Sequence, residues 1–210
     1  MDTRILLLGA TGKVGREVLQ KLLAANKTVT VLVRDAGKLP VDKNLTVLEG
    51  DALSEADLRR ALSGVETVIS VLGHGKTSPE NLLSNSMRKV IKVADTPERL
   101  RIVTMAGVRA EADRPGLFDR FVNLMLKTFS GKEYRDWYAL EEVLRNSKTR
   151  WTIVRAPRIV EESKGTVGVG YIGDDVLSNE VSATQLAEFI TREALMEEWV
   201  RKLPYVACKR

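Results

Sequence analysis

Three glycines are the first residues in the chain whose spacing could serve chemistry. Gly9, Gly12 and Gly15 follow the apolar run Ile5–Leu8, which is as long as a buried strand, and a helical pattern begins at once. In a strand–turn–helix unit the first glycine permits the tight turn, the second a close approach of a pyrophosphate, and the third tight helix packing. The free N–H groups and dipole of the helix start favour an anion. We therefore predict a phosphate-binding glycine turn (residues 9–15), with contacts from Gly9, Thr11, Gly12, Lys13 and Val14.

Basic residues follow the second predicted strand, Thr28–Val33. At this point in a dinucleotide-binding unit a carboxylate binds the ribose hydroxyls of NAD, whereas a cation binds the 2′-phosphate of NADP. Arg34 follows the strand directly and Lys38 lies four residues later, so a guanidinium fork and an ammonium group are available for a phosphate. Asp35 would bind ribose if the register differed by one residue, and a solvated loop is the other alternative. We predict NADPH as the cofactor, in preference to NADH.

Strands and helices alternate along the rest of the chain. The strands are predicted at 45–48, 67–72, 100–105 and 151–155, with short ones near 166–171 and 205, and the helices between them include one capped by Ser54 and Asp57. This alternation predicts a single α/β domain over residues 1–210, a doubly wound parallel sheet with helices on both faces and substrate-covering elements in its C-terminal part.

The active crevice of such a sheet lies beyond the carboxyl ends of its strands. Four more cofactor contacts are predicted there: Asp51 and Ala52 near the adenine, and Leu72 and Gly73 along the ribose. Asp51 is equally compatible with an ordinary turn carboxylate.

Composition and charge narrow the classes of partner. The chain is 44% apolar and 29% charged, as in ordinary soluble proteins, and no apolar run approaches the roughly 20 residues of a membrane span. The lone cysteine, Cys208, cannot form an intrachain disulfide, which agrees with a cytoplasmic location. The net charge of +5 is not gathered into an aromatic-interleaved basic stripe, and no cluster has metal-ligand spacing. We expect a small-molecule substrate, no nucleic acid, no membrane, no metal, and either a monomer or a homodimer.

Four stretches together resemble a known family. They are residues 9–15, 33–35, 49–51 and 151–157, and they resemble the atypical short-chain dehydrogenase/reductases. Within these the chain is most similar to the NAD(P)H-binding proteins grouped around flavin reductase/biliverdin-IXβ reductase and the NmrA-like proteins. The resemblance covers nearly the whole chain and implies a Rossmann fold that binds a nicotinamide cofactor.

The resemblance also implies positions for the substrate wall. In the flavin/biliverdin-reductase-like proteins, a Ser or Thr at the end of the fifth strand and a residue after the sixth-strand proline flank the nicotinamide. Thr104, Met105 and Arg158 match those positions, although Met105 replaces the family serine and Arg158 stands where the reductase has a histidine. Arg158 would hold a propionate or a flavin phosphate, or would be a surface arginine.

The Tyr-x-x-x-Lys pair of ordinary members of the superfamily is missing from its usual helix. Neither Tyr134 nor Tyr138 has a lysine four residues later, and the literal match from Tyr205 to Lys209 lies far past the sixth strand. A conjugated acceptor (flavin, linear tetrapyrrole or quinone) would take a hydride and collect its proton from solvent. A non-catalytic NADP(H) sensor of the NmrA-like type fits equally well, whereas a sugar-nucleotide epimerase or dehydratase would need the missing pair.

Two further features have open interpretations. His74, the only histidine, lies between two glycines after the fourth strand, and it would donate a proton near neutral pH, contact the cofactor backbone or face solvent. It completes the set of catalytic candidates with Thr104, Met105 and Arg158. The apolar residues between 117 and 129 would form either a lid over the pocket or a packed core helix.

Overall fold

An eight-stranded sheet is the centre of the computed structural model, which describes residues 4–75, 77–107, 131–172 and 176–210. The described strands are β1 (Ile5–Leu8), β2 (Val29–Val33), β3 (Leu45–Glu49), β4 (Thr67–Ser70), β5 (Arg101–Gly107), β6 (Arg150–Ala156), β7 (Arg158–Val160), β8 (Val167–Gly170), β9 (Glu180–Ser182) and β10 (Tyr205–Cys208). Of these, β7 and β9 pair with each other in a separate two-stranded sheet, and the other eight form the large sheet. The helices are α1 (Lys13–Ala24), α2 (Glu55–Ala61), α3 (Leu82–Val93), α4 (Lys132–Arg145) and α5 (Ala183–Met196). The apolar segment between 117 and 129 lies outside the described residues.

The strand order of the large sheet is β3-β2-β1-β4-β5-β6-β10-β8. The first six positions follow the doubly wound dinucleotide-binding order, which reverses direction between β1 and β4. Every pairing from β3 to β10 is parallel, so the predicted doubly wound sheet is confirmed. At one edge β8 runs antiparallel to β10, so the sheet is mostly parallel. An edge strand of this kind is common on otherwise parallel sheets.

Apolar layers cover both faces of the sheet. On one face α1 and α5 bury side chains such as Val18, Leu22 and Ile190. On the other face α2, α3 and α4 bury a second layer that includes Met87 and Leu140. Because the central strands are buried on both sides, they are continuous apolar runs rather than alternating ones, as the sequence of β1 illustrates.

An ion pair ties α5 to the amino end of the sheet. Arg101 and Glu193 are fully buried and their side chains are 2.5 Å apart. Arg101 also donates to the Thr152 hydroxyl at 2.6 Å, and Glu193 accepts from the backbone N–H groups of Glu198 and Trp199 at 3.1 and 2.9 Å. Burial lowers the pKa of the Arg101 guanidinium, and the Glu193 carboxylate opposes that shift.

Candidate active site

The glycine turn is shaped by close contacts that only glycine tolerates. Gly9 has a φ of +87°, and a Cβ atom there would lie 2.8 Å from the carbonyl carbon of Val71. A Cβ atom at Gly15 would lie 2.0 Å from the carbonyl oxygen of Gly9. Gly12 precedes α1, donates to that same oxygen at 3.1 Å and is exposed. The turn therefore joins the ends of β1 and β4, where the strand order reverses, and leaves Gly12 accessible.

The start of α1 fits a pyrophosphate. Gly12 provides no side-chain cap, and the first turn of the helix has no acidic residue. Lys13 is exposed, with its ammonium 3.9 Å from the Glu161 carboxylate, and Arg16 donates to the Thr11 carbonyl at 3.1 Å. The Val14 side chain is buried in the core, so its backbone is the part that can contact a ligand. The residues present thus offer N–H groups and positive charge without a competing carboxylate in the first turn.

The end of β2 offers an exposed cation while its neighbouring carboxylates are engaged. Arg34 is exposed. The carboxylates of Asp35 and Glu49 accept from backbone N–H groups of the short 3-10 turn 36–38, at 3.0 and 3.2 Å. The side chain of Lys38 lies outside what the structure describes. Three interpretations of this loop were open, and the preference for NADPH stays a prediction.

Asp51 forms the turn after β3. Its carboxylate accepts from the Leu53 N–H at 2.8 Å, and its own N–H donates to Asp57 at 3.1 Å. That N–H and the Arg60 guanidinium lower the pKa of the Asp57 carboxyl. Ala52 packs against the apolar layer of α2, α3 and α4. Asp51 therefore has a structural role, and its predicted adenine contact stays a prediction.

A pocket of about 400 Å³ opens beyond the carboxyl ends of β4, β5 and β6, and this volume is typical of small-molecule sites. The predicted residues that line it are Leu72, Gly73, His74, Met105 and Arg158. Thr104 is a correction to the predicted wall, because it is only 2% exposed and does not line the pocket. Strand β5 continues to Gly107, which leaves Thr104 three residues inside the sheet.

Arg158 stands at the mouth of the pocket. It is the first residue of β7, its side chain is 76% exposed, and its guanidinium lies 3.2 Å from the Glu180 carboxylate on β9. An exposed ion pair of this kind contributes little to stability. The guanidinium therefore remains available to an anionic group of a ligand.

The sequence reasoning missed two residues on α4. Trp137 lines the pocket and packs against Gly107 so closely that a Cβ atom there would lie 2.1 Å from the indole ring. Asp136 is fully buried and its Oδ2 atom lies 3.0 Å from Nε2 of His74. Asp136 lies in the stretch where the Tyr-x-x-x-Lys pair was expected, but a lone aspartate between aromatic residues forms no recognisable motif. The feature that could have indicated Asp136 is a charged residue on the buried side of an amphipathic helix.

The remaining Tyr-x-x-x-Lys match is not a catalytic pair. Tyr205 lies on β10, is buried, and its hydroxyl donates to the Ser178 carbonyl at 2.8 Å. Burial raises the pKa of this hydroxyl. The Tyr205 hydroxyl thus stabilises the loop before β9, and the side chain does not line the pocket.

Membrane-spanning helices and metal-binding clusters are both missing from the described ranges. None of the helices there combines the length and the apolar character needed to cross a membrane. No group of three His, Cys, Asp or Glu side chains in those ranges is arranged to hold a metal ion.

Solved structures share this fold over nearly the whole chain. A short-chain dehydrogenase/reductase from Veillonella parvula in complex with NADP is 16% identical, with a TM-score of 0.77 over 99% of this chain and 95% of that one. An anaerobillin reductase from Escherichia coli O157:H7 is 21% identical, with a TM-score of 0.75 over 98% and 97%. A candidate NADH-flavin reductase from Streptococcus pneumoniae is 16% identical, with a TM-score of 0.71 over 99% and 100%. At these identities the likeness concerns the fold.

Sequence relatives and a family model complete the comparison. The isoflavone reductase homolog IRL of Zea mays is 30% identical over 97 residues, which are 41% of this chain but only 31% of the maize protein. The UPF0659 protein YMR090W of Saccharomyces cerevisiae is 27% identical over 179 residues, which are 78% of this chain and 72% of the yeast protein. The model of the NAD(P)H-binding family matches residues 9–197. With its glycine turn, strand order and this match, the chain belongs to the NAD(P)H-binding family, as the resemblance read from its motifs predicted.

Proposed function

We propose that the protein is an NADPH-dependent oxidoreductase that reduces a conjugated acceptor such as a flavin, a tetrapyrrole or a quinone. The observation that carries this proposal is the pocket at the carboxyl ends of β4, β5 and β6, which adjoins the glycine turn. The loop after β4 contacts Gly9 through Val71 and then supplies Leu72 to the pocket wall. A bound nicotinamide cofactor would supply the hydride, and the protein would orient the acceptor.

The pocket wall supports a flat, conjugated acceptor. Trp137, Met105 and Ile159 give it apolar surface, and an indole ring packs well against another ring. Arg158 at the mouth would bind a carboxylate or phosphate on the same molecule. The fold neighbours named as anaerobillin and NADH-flavin reductases support the same class of acceptor. The absence of a Tyr–Lys pair argues against simple carbonyl reduction.

The end of β2 supports NADPH as the preferred cofactor. Arg34 is exposed there, whereas the carboxylates of Asp35 and Glu49 accept from backbone N–H groups of the 3-10 turn. A guanidinium pairs with a 2′-phosphate through two parallel hydrogen bonds, which NADH cannot form.

The test is the oxidation of NADPH and NADH, followed by absorbance, with FMN, riboflavin, biliverdin and quinones as acceptors. We expect turnover with at least one acceptor. Arg34→Ala should raise KM for NADPH by about 10–100-fold, since hydrogen bonds to charged groups contribute about 1.5–3 kcal/mol, and should leave KM for NADH unchanged. Arg59→Ala, which removes an exposed arginine of α2, is the matched control.

Two outcomes would contradict the proposal in different ways. Tight NADPH binding without turnover of any acceptor would replace the reductase with an NADP(H)-sensing protein. A wild-type enzyme that prefers NADH, with Arg34→Ala unchanged, would leave the reductase but remove the NADPH preference.

A further inference from the structure

A buried carboxylate lies directly behind the pocket. Asp136 on α4 is fully buried, and it accepts from the backbone N–H groups of Leu83 and Ser84 at 2.7 and 2.9 Å. These N–H groups belong to the first turn of α3, so a side chain from one helix caps another. The same carboxylate is 3.0 Å from the ring of His74. Asp136 therefore joins the capping of α3 to a side chain that lines the pocket.

His74 is a nearly buried polar side chain that faces a ligand site. Its side chain is 8% exposed, and it lines the pocket after β4. Its Nε2 atom lies 3.0 Å from Oδ2 of Asp136, and it has no aligned hydrogen-bond partner among the described residues. The loop that holds the ring is closed by Ser78, whose hydroxyl accepts from the Gly75 N–H at 2.8 Å.

The contact decides where the proton of this imidazole resides. Two unprotonated acceptor atoms 3.0 Å apart would repel each other, so Nε2 carries a proton while Asp136 is a carboxylate. A carboxylate beside a ring nitrogen of histidine favours the tautomer that carries its proton on that nitrogen. The second nitrogen, Nδ1, is then the one that can hold a transferable proton.

We propose that Asp136 positions His74 as the proton donor to the acceptor, so that the enzyme rather than bulk solvent supplies this proton. This inference rests on the proposed reductase function. The acceptor gains two electrons and one hydrogen as the hydride, and a heteroatom of its conjugated system gains the Nδ1 proton of the His74 imidazolium. The neutral imidazole left behind takes a proton from water, and the acceptor leaves with two added hydrogens. Asp136 is a positioning residue, because it acts through His74.

The other charged groups of the pocket wall do not compete for this role. Glu133 and Arg158 are both exposed to solvent, and Arg158 pairs with Glu180. An arginine side chain stays protonated and does not serve as a proton donor. Of the titratable side chains that line the described pocket, His74 alone is nearly buried and in contact with a buried carboxylate.

The first test requires no substrate, because the chain has a single histidine. In histidine-selective ¹⁵N-labelled protein, NMR should show that the neutral ring carries its proton on Nε2. Asp136→Asn should remove that preference, since an amide can present either an oxygen or an NH₂ group. A wild-type ring with its proton on Nδ1 would overturn the proposal.

The second test is kinetic, and its His74 variants leave the α3 cap intact. His74→Gln should lower kcat by about 10²–10⁴-fold with the acceptor that the wild-type protein reduces, and should leave the Kd for NADPH unchanged. In His74→Gly, added imidazole should restore part of the lost rate, which a purely structural role of the ring would not allow. Asp136→Asn should also lower kcat with little change in KM for NADPH.

The outcomes separate this proposal from the proposed function. Wild-type kcat in His74→Gln would overturn the proton-donor role while the reductase stands. NADPH binding without turnover of any acceptor would overturn the reductase function, and the proton-donor role with it.

Discussion

Polar groups are exposed at one end of the parallel strands and buried at the other. We call the end where these strands finish the carboxyl edge and the end where they begin the amino edge. At the carboxyl edge the start of α1 is uncapped and Arg34 is exposed. At the amino edge Arg101 and Glu193 are buried together, and one Nη atom of Arg150 lies 2.7 Å from both carboxylate oxygens of Glu197. The difference indicates that the carboxyl edge is available for ligands and that the amino edge stabilises the fold.

Cavity size alone would favour the amino edge. A cavity of about 680 Å³ lies at the amino edge, between the starts of β4 and β5 and the end of α5, and it exceeds the pocket of about 400 Å³. Helix C-termini such as those of α3 and α5 lie beside it, and their partial negative charge does not suit an anionic cofactor. The direction of the helix dipoles and the N–H groups at the start of α1 favour the carboxyl edge for an anionic ligand.

The largest effect is expected at the amino edge. Glu193→Ala should lower the free energy of unfolding by about 3–5 kcal/mol, because it leaves the Arg101 charge buried without its partner. Urea denaturation measures the loss, and NADPH affinity of the folded protein should not change. Glu198→Ala, which removes an exposed pair with Arg192 at 3.9 Å, is the control and should cost less than about 1 kcal/mol. Equal losses in the two variants would remove the contrast between the edges.

An intermediate effect is expected within the glycine turn. Gly15→Ala places a Cβ atom 2.0 Å from a backbone oxygen and should lower the free energy of unfolding by about 1–3 kcal/mol. Gly12→Ala places its Cβ atom 3.4 Å from that oxygen, at a φ of −75°, and should leave stability nearly unchanged. It should nevertheless weaken NADPH binding about tenfold or more, since the methyl group occupies the approach of the pyrophosphate.

Denaturation curves and NADPH titrations of both variants separate these roles. If Gly12→Ala binds NADPH as well as the wild type, the turn does not hold the pyrophosphate at that residue.

The smallest effect concerns acid stability near the end of β3. The N–H of Asp51, with Arg60 and Ser54, holds the pKa of Asp57 below its unfolded value, so this carboxylate stabilises the fold above that unfolded value. The stability is lost as the pH falls through the lower, folded pKa. The melting temperatures of wild type and Asp57→Asn should therefore differ at pH 7 and converge below about pH 4. Parallel curves over this range would contradict the assignment.

Local patterns account for what the sequence could predict. The glycine turn, the β1 run and the cap of α2, where the Ser54 hydroxyl accepts from the Asp57 N–H at 3.2 Å, each depend on neighbours within a few residues. The doubly wound parallel sheet followed from the alternation of strands and helices, because crossover connections restrict how a parallel sheet is built. The position of the pocket followed from the same rule.

Contacts between distant segments explain what the sequence could not predict. Asp136 meets Leu83 and Ser84 across more than 50 residues, a pairing that depends on how α3 packs against α4. Strands β7 and β9 are three residues each, too short for a period to be visible. Thr104 was placed on the pocket wall by the resemblance, in which a Ser or Thr ends the fifth strand, whereas β5 continues to Gly107.

Trp137 restricts what position 107 can hold. Any larger side chain at Gly107 would displace the indole from the pocket wall, since a Cβ atom there already lies 2.1 Å from the ring. A smaller residue at position 137 would leave a groove that position 107 is free to fill. A change to a larger residue at position 107 would therefore require a smaller residue at position 137, and a lineage that keeps Trp137 would be constrained to keep Gly107.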